Sequence, residues 1–263
     1  MALKADARVL FECCPLCAHS SMVVIKKADC STHHSYHPDI PSTMTWMQCA
    51  QCDHVFTDGY FTEEALKLVF SKTQEHHALG YQMEQQRSIS ARMIEKVLPY
   101  QSSGRWMDIG VGNGSLLFTA EEYGFTVTGI DLRSDNIELL RKLGYEAHCA
   151  DFQRFNQGAS FSVISMADVL EHMPFPLQAL QHVRKLLVDG GVAFISMPNS
   201  ENMLWRTLDQ SDANPYWGQL EHYHNFSRSR LFQLLSDTGF QPLCYGISER
   251  YRVCMEVIAV SRV

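Results

Sequence analysis

The stretch RWMDIGVGNGSLLF, residues 105–118, sets three glycines at alternate positions behind an acid and ahead of an apolar run. Glycine costs roughly 0.5–1 kcal/mol in a regular element relative to alanine. A cluster of them marks either a sharp turn or a backbone that something must approach closely. The alternation that begins there decides the fold class. Residues 106–109 read as a short apolar strand, and 115–124 as a helix ending in glycine. Residues 126–131 are a strand, and 134–144 a helix with Ser134 as N-cap and Gly144 at its end. EAHCA (146–150) is a weak strand and FSVISM (161–166) a strong one. A helix over 176–191 stops at a glycine pair, GVAFISM (191–197) is a strand, 227–239 a helix, and CMEVIAV (254–260) a last strand. Strands alternating with helices of about 10–15 residues predict an α/β fold with a doubly wound parallel sheet. Ligands of such sheets bind beyond the carboxyl ends of the strands, near the switch in strand order. The glycine turn falls at such a place.

The chain has 263 residues and is 46% hydrophobic, enough for a large single core plus a small appendage. Its formal net charge of −7 argues against nucleic acid as the main partner, since that binding rests on Lys and Arg. The opening MALKADARVL lacks the apolar core of a signal peptide, and no apolar run approaches the roughly 20 residues that span a bilayer. A soluble cytoplasmic protein without membrane insertion is expected. No local pattern encodes an oligomeric state.

Six of the nine cysteines, Cys13, Cys14, Cys17, Cys30, Cys49 and Cys52, lie in the first fifth of the chain. Cys149, Cys244 and Cys254 stand alone and read as small buried apolar residues. CPLC (14–17) and CAQC (49–52) are two Cys-x2-Cys units, with a gap between them longer than the usual ribbon spacing. Such a turn presents both sulfurs to one ion, and a second turn closes a tetrahedral sulfur site that suits structural zinc. SMVVI (21–25) and MTWMQ (44–48) flank the pairs like ribbon strands. The expected ligands are Cys14, Cys17, Cys49 and Cys52, with Cys13 competing for the first place. Buried free thiols or a redox pair are the alternative, and His33, His34 and His37 belong to the intervening loop, where one could replace a cysteine. Four protein ligands leave no open position, so this site folds the front of the chain and does no chemistry. The expected organisation is a zinc-ribbon-like module over 1–58, a helical linker or lid over 59–100 and a ligand-binding domain over 101–263. The linker carries a helix over 62–72, opened by a threonine and two acids that resemble a capping box, and another over 82–98.

The spacing Gly110-x-Gly112-x-Gly114 is not that of a dinucleotide site. Asp108 stands just ahead of the first of these glycines. A carboxylate there repels a pyrophosphate but favours the cationic amino group of S-adenosylmethionine (SAM). Asp131, in TGIDL, lies at the end of the next strand, where it can accept from two ribose hydroxyls; a helix N-cap is its plainer role. Asp151, in CADF, follows the third strand, where an acid can accept from the adenine amino group, with Phe152 beside the ring; a loop residue and a core residue are the plainer alternatives. MADVLEHMPFP follows the fourth strand.

In this order the segments DIGVGNG, GIDL, ADF and ADVLEH resemble the class I SAM-dependent methyltransferases, and among them the branch that includes the ubiquinone-biosynthesis O-methyltransferases. LLVDGGVAFISMPN and EHYHNFSRSRLFQLLSDTGF extend the likeness over roughly residues 80–260. The resemblance implies a seven-stranded Rossmann-like sheet with an antiparallel final strand. It implies cofactor contacts from Asp108, Gly110, Gly112, Gly114, Asp131, Leu132, Asp151, Phe152, Ala167 and Asp168, with Tyr81 closing over the methionine end. The loop departs in Val111-Gly112-Asn113, where many members carry Cys-Gly-Thr. The cysteine front end with this core also looks like the sugar C-methyltransferases that carry an N-terminal zinc module. Their Tyr-His-Glu-His stretch is only partly matched by LEHYH (220–224).

Methyl transfer from a sulfonium is an in-line displacement that needs the acceptor about 3–3.5 Å from the methyl carbon. It also needs a group to take the acceptor's proton, and histidine suits that task. The candidates, in order, are His222, His172 and His224, the first and last within YWGQLEHYHNFS (216–227). Glu171 reads as structural. Asn199, Asn202, Trp205 and Trp217 either shape the acceptor pocket or simply pack. The expected function is O-methylation of a small-molecule hydroxyl. The alternatives are C-methylation of a nucleotide-linked sugar, an RNA or protein methyltransferase docked through the zinc module, and a SAM-sensing scaffold. Arg8, Lys26 and Lys27 are thin material for a basic docking face, and the Asn/Asp-Pro-Pro-Tyr stretch of many amine methyltransferases is absent.

Overall fold

A computed structural model of the chain describes residues 7–69 and 75–262. The end of the helix expected over 62–72 therefore lies outside the described residues. The chain forms two compact units. The first takes residues 1–72, 171–177 and 198–231; the second takes 73–170, 178–197 and 232–263.

In the first unit β1 (Arg8–Leu10) is followed by β2 (Met22–Asp29), β3 (Thr43–Cys49), β4 (Val55–Thr57), β5 (Gly59–Phe61) and α1 (Glu63–Val69). The two expected ribbon strands are β2 and β3, paired antiparallel from Met22 opposite Cys49 to Asp29 opposite Thr43, with a register shift between Val24 and Lys26. Alternate β3 residues Met44 and Trp46 are buried, as a half-covered sheet requires. They share a core with Ile40, Phe61, Ala65 and Tyr223. The Thr62 hydroxyl caps α1 by accepting from the Ala65 amide (3.3 Å). Position 65 is alanine, so the return half of a capping box is missing.

The second unit opens with α2 (Met83–Val97), which buries Met93, Ile94 and Val97. There follow β6 (Arg105–Ile109), α3 (Ser115–Glu122), β7 (Thr126–Asp131), α4 (Ser134–Lys142), β8 (Glu146–Cys149), β9 (Phe161–Ala167), α5 (Pro176–Leu186) and β10 (Leu187–Pro198). Arg133, not Ser134, occupies the N-cap of α4. The helix expected to run to 191 ends at Leu186. Its glycine pair lies within β10, where the register jumps between Leu187 and Val192 and Gly190 has φ +73°.

Residues 198–231 carry α6 (Met203–Gln210), β11 (His224–Asn225) and the start of α7 (Arg228–Asp237). β11 pairs with β4, giving the first unit a four-stranded sheet of order β11-β4-β3-β2. The second unit closes with β12 (Phe240–Ile247) and β13 (Cys254–Ser261). Its seven-stranded sheet has the order β12-β13-β10-β9-β6-β7-β8. β6, β7 and β8 run parallel to one another, as do β6, β9 and β10, while β12 and β13 pair antiparallel. The strand order reverses between β6 and β9, which puts the switch point at the carboxyl end of β6. Trp106, Leu117, Leu140, Val163, Phe194 and Ile258 belong to the buried core of this unit. Among the described residues, no helix is long and apolar enough to cross a membrane.

Candidate active site and metal centre

β6 delivers the chain into the glycine turn at the switch point. The Gly110 amide donates to the Ile130 carbonyl of β7 (2.8 Å), and the Gly114 amide to the Val111 carbonyl (3.0 Å). Gly114 is the N-cap of α3 at φ +81°, and a Cβ there would meet Leu79 and Phe118 side-chain atoms at 2.6 Å. Gly112 differs. It sits at φ +54°, yet a Cβ would meet nothing closer than the Gly110 carbonyl oxygen at 3.9 Å. A left-handed backbone beside open space suits close approach by a ligand.

Two side chains fasten this loop. The Gly112 amide donates to Asp131 Oδ2 (3.2 Å), and the Gly112 carbonyl accepts from Asn136 Nδ2 (2.8 Å). Asn136 is buried, also donates to the His77 carbonyl (2.8 Å) and accepts from the Leu79 amide (3.3 Å). It ties the glycine turn to the segment ahead of α2, a role sequence inspection missed. The only signal was a polar residue next to buried Ile137 on an apolar helix face.

The expected cofactor residues all fall in the second unit. Asp131 ends β7, and its other oxygen accepts from the Arg133 amide (2.8 Å). A carboxylate has about four lone-pair sites, so capacity for ribose hydroxyls remains. Asp108 is 2% exposed, and Ser165 Oγ lies 2.6 Å from its Oδ1. Burial pushes its carboxyl up to about 7, against the pull of the Ser165 hydrogen bond and the charge of Arg250. Asp168, just beyond β9, is held at φ +59°, where non-glycine residues are uncommon. Its amide donates to the Ser196 carbonyl (2.8 Å), and its carboxylate faces Arg250 Nη1 at 3.6 Å. Asp151 accepts from the Gln153 amide (3.0 Å) and caps a short turn, so its local role is filled. Phe152 is buried against His182, Ala167 is buried, Leu132 is exposed, and the Tyr81 hydroxyl accepts from Gln82 Nε2 (3.1 Å).

The three candidate histidines all fall in the first unit. His224 Nε2 lies 2.9 Å from the Met173 carbonyl, and its Nδ1 lies 2.9 Å from His54 Nε2. A carbonyl only accepts, so His224 carries its proton on Nε2 and accepts the His54 N–H at Nδ1. Burial drives its pKa down to about 4. With both nitrogens engaged, His224 is a core histidine with none left for a substrate proton, which corrects its place among the base candidates. His172 and His222 meet edge to face, ring centroids 4.6 Å apart. His172 Nδ1 donates to the Glu221 carbonyl (2.9 Å). His222 is buried and held neutral well below the ordinary histidine range by burial, then by His172 and His33.

The nearby polar and aromatic candidates take packing roles. Asn202 caps α6 by accepting from the Trp205 amide (2.7 Å), and Asn199 accepts from the Glu201 amide (3.0 Å). Trp205 is buried against Tyr216 and Trp217, and Trp217 Nε1 donates to Asp209 (2.6 Å).

Cys14, Cys17, Cys49 and Cys52 converge, their sulfurs all within 4.8 Å of one another. Cys14 and Cys52 lie 3.7 Å apart and Cys17 and Cys49 3.5 Å. A tetrahedron with zinc–sulfur bonds of about 2.3 Å has edges of about 3.8 Å, so the donor set fits the ion. The two turns are built alike. Ala18 and Asp53, each following a second cysteine, have φ +58° and +57° and donate to the Cys14 and Cys49 carbonyls (2.9 and 3.1 Å). The Cys14 and Cys49 amides donate to the His19 and His54 carbonyls (2.9 and 3.0 Å). Cys13 lies outside the cluster.

The family model of a methyltransferase domain matches residues 81–245. A ubiquinone biosynthesis O-methyltransferase of Paracidovorax citrulli is 31% identical over 115 residues, 40% of this chain and 48% of the relative. One from Vibrio cholerae is 30% identical over 149 residues, 52% of this chain and 61% of the relative. The chain thus spans about half the length of the curated relatives it matches. Among solved structures, a SAM-dependent methyltransferase of Methanosarcina mazei superposes with a TM-score of 0.52 at 19% identity, covering 64% of this chain and 97% of that one. The magnesium protoporphyrin IX methyltransferase of Synechocystis, solved with bound SAH, gives 0.52 at 16% identity, covering 69% and 84%. With the glycine turn at the switch point and a family match over most of the chain, this protein belongs to the methyltransferase-domain family.

Proposed function

We propose that the chain is a SAM-dependent methyltransferase that acts on a hydroxyl of a small molecule. The observation that carries this reading is Gly112, a left-handed backbone beside open space, clamped by Asp131 at the switch point. The O-methyltransferase relatives support the choice of oxygen as acceptor. The nucleoside lies against Gly110, Gly112 and Gly114, with its ribose on Asp131 and its adenine toward Asp151, Phe152 and Leu132. The methionine end faces Asp108, Ala167 and Asp168, with Tyr81 above it. The sulfonium donor is already activated, so these residues serve to bind and orient it. Loss of the acceptor's proton depends on His222 first and His172 second. The four cysteines hold a structural zinc ion.

Calorimetry with S-adenosylhomocysteine, followed by a turnover screen over phenols and other hydroxyl acceptors, tests this. Binding with methyl transfer to oxygen is expected; capture of a nicotinamide or flavin nucleotide instead would overturn it. His222→Ala is expected to lower turnover by about 10²–10⁴-fold with S-adenosylhomocysteine affinity nearly unchanged. Unaltered turnover removes His222 from the role.

A further inference from the structure

The four cysteines are not the only metal-type grouping in the first unit. Glu171, His172 and His222 also converge, offering one carboxylate oxygen and two imidazole nitrogens all within 4.8 Å of one another. A third group, His33, His34 and Glu221, also satisfies that distance. In it His33 is fully committed, its Nε2 paired with Gln219 Oε1 (3.0 Å) and its Nδ1 accepting from the Ser35 amide (3.2 Å).

We infer that Glu171, His172 and His222 form a binding site for a divalent first-row transition metal ion. Three observations carry this. His172 donates its Nδ1 proton to the Glu221 carbonyl (2.9 Å), which puts the lone pair on Nε2. A ligating histidine is oriented in this way, its second nitrogen donating to a backbone carbonyl. His222 is 8% exposed, and its Nδ1 is buried without a hydrogen-bond partner. A buried polar nitrogen of that kind calls for an explanation, and an ion in the cluster supplies one. Glu171 is 1% exposed, and its carboxylate oxygen completes the donor set beside the two imidazoles.

The donor set names the class of ion. Two imidazoles and a carboxylate suit zinc, iron, cobalt, nickel or manganese better than magnesium or calcium, which take oxygen. The site also differs in kind from the cysteine cluster. Four thiolates close a tetrahedron, whereas three ligands leave a position open. An open position would let the ion hold an acceptor oxygen and lower the pKa of its hydroxyl, whose proton would then leave to water, so that the histidines act on the proton as ligands rather than as bases. That use rests on the methyl-transfer reading; the metal site itself does not.

The test uses the full chain, loaded with excess zinc or cobalt, freed of unbound metal and analysed for metal per chain. Wild type is expected to hold two equivalents. Glu171→Gln and His222→Asn are each expected to lose one while keeping the cobalt–thiolate charge-transfer band of the cysteine cluster. That band reports that the first unit is still folded in the variant. Cys49→Ser is expected to abolish the band. Saturation of wild type at one equivalent, or two retained in both variants with the band intact, overturns the inference. S-adenosylhomocysteine calorimetry on the same samples reports separately on the methyl-transfer reading, so the two fail independently.

Discussion

At the scale of single residues, Gly112 and Gly114 answer different demands although both have positive φ. An alanine at Gly114 meets side-chain atoms of Leu79 and Phe118 at 2.6 Å, whereas an alanine at Gly112 meets open space. Gly114→Ala is therefore expected to lower thermal stability through crowding. Gly112→Ala is expected to cost about 1–2 kcal/mol for the left-handed backbone and to weaken S-adenosylhomocysteine binding by more than that stability loss implies. Calorimetry and melting of both variants check the contrast; equal effects on binding and stability in both would contradict it. Asp108 adds a pH dependence. Its carboxyl is raised to about 7 by burial, so it is protonated in much of the free protein below that pH. The α-ammonium group of S-adenosylhomocysteine placed against Asp108 favours the charged form, so affinity is expected to rise as pH climbs through about 7. Asp108→Asn is expected to flatten the profile. The placement of the glycine spacing, Asp108 and Asp131 was legible because each lies within, at the end of or directly after a short apolar strand. Asn136 and Ser165 were not, because their partners come from segments far away in the chain.

At the scale of elements, strands with an apolar run and a glycine or acid at the end were readable. β12 was not. It is an edge strand with Pro242 inside it and a register shift between Pro242 and Cys244. Proline is tolerated at such an edge but removes the local strand signal. The helix expected over 176–191 was too long for a related reason: its glycine pair is a bulge in β10, not a helix stop. β4 and β11 pair over a few residues, and no periodicity could announce a strand as short as His224–Asn225. What joins that edge is also chemical, the buried bond of 2.9 Å between His54 and His224. Both imidazoles are held neutral, His54 well below the ordinary histidine range and His224 at about 4, with burial the main cause. The unfolded chain binds these protons near pH 6.5 and the folded chain does not. Stability is thus unaffected above about 6.5 and is lost as pH falls below it, each histidine adding about 1.4 kcal/mol per pH unit. Denaturant titrations from pH 7.5 to 5, followed by tryptophan fluorescence, should show this slope, and His224→Gln should reduce it by about one proton.

At the scale of the molecule, the first unit is discontinuous in sequence. The cysteine pairs read as a self-contained module over 1–58, yet the unit also includes 171–177 and 198–231. Nothing local in those segments signals it. Tyr223 donates its amide to the Glu171 carbonyl (2.8 Å), and the Thr57 amide donates to the Tyr223 carbonyl (2.9 Å), so three stretches of chain share one backbone network. Trp46 Nε1 donates to the Trp217 carbonyl (2.8 Å) in the same way. The zinc ion proposed for the cysteines would then stabilise more than the ribbon that carries them. Structural zinc binding supplies about 10–16 kcal/mol of apparent free energy in small modules, more than the whole stability of many domains. Cys49→Ser is accordingly expected to open amide hydrogen exchange not only in β2 and β3 but also across Leu220, Tyr223 and β11. The amides of β6, β7 and β9 hold their protection, because that sheet has its own core around Trp106, Val163 and Phe194. Exchange confined to the cysteine ribbon itself would instead mean that the returning segments are ordered without the zinc module.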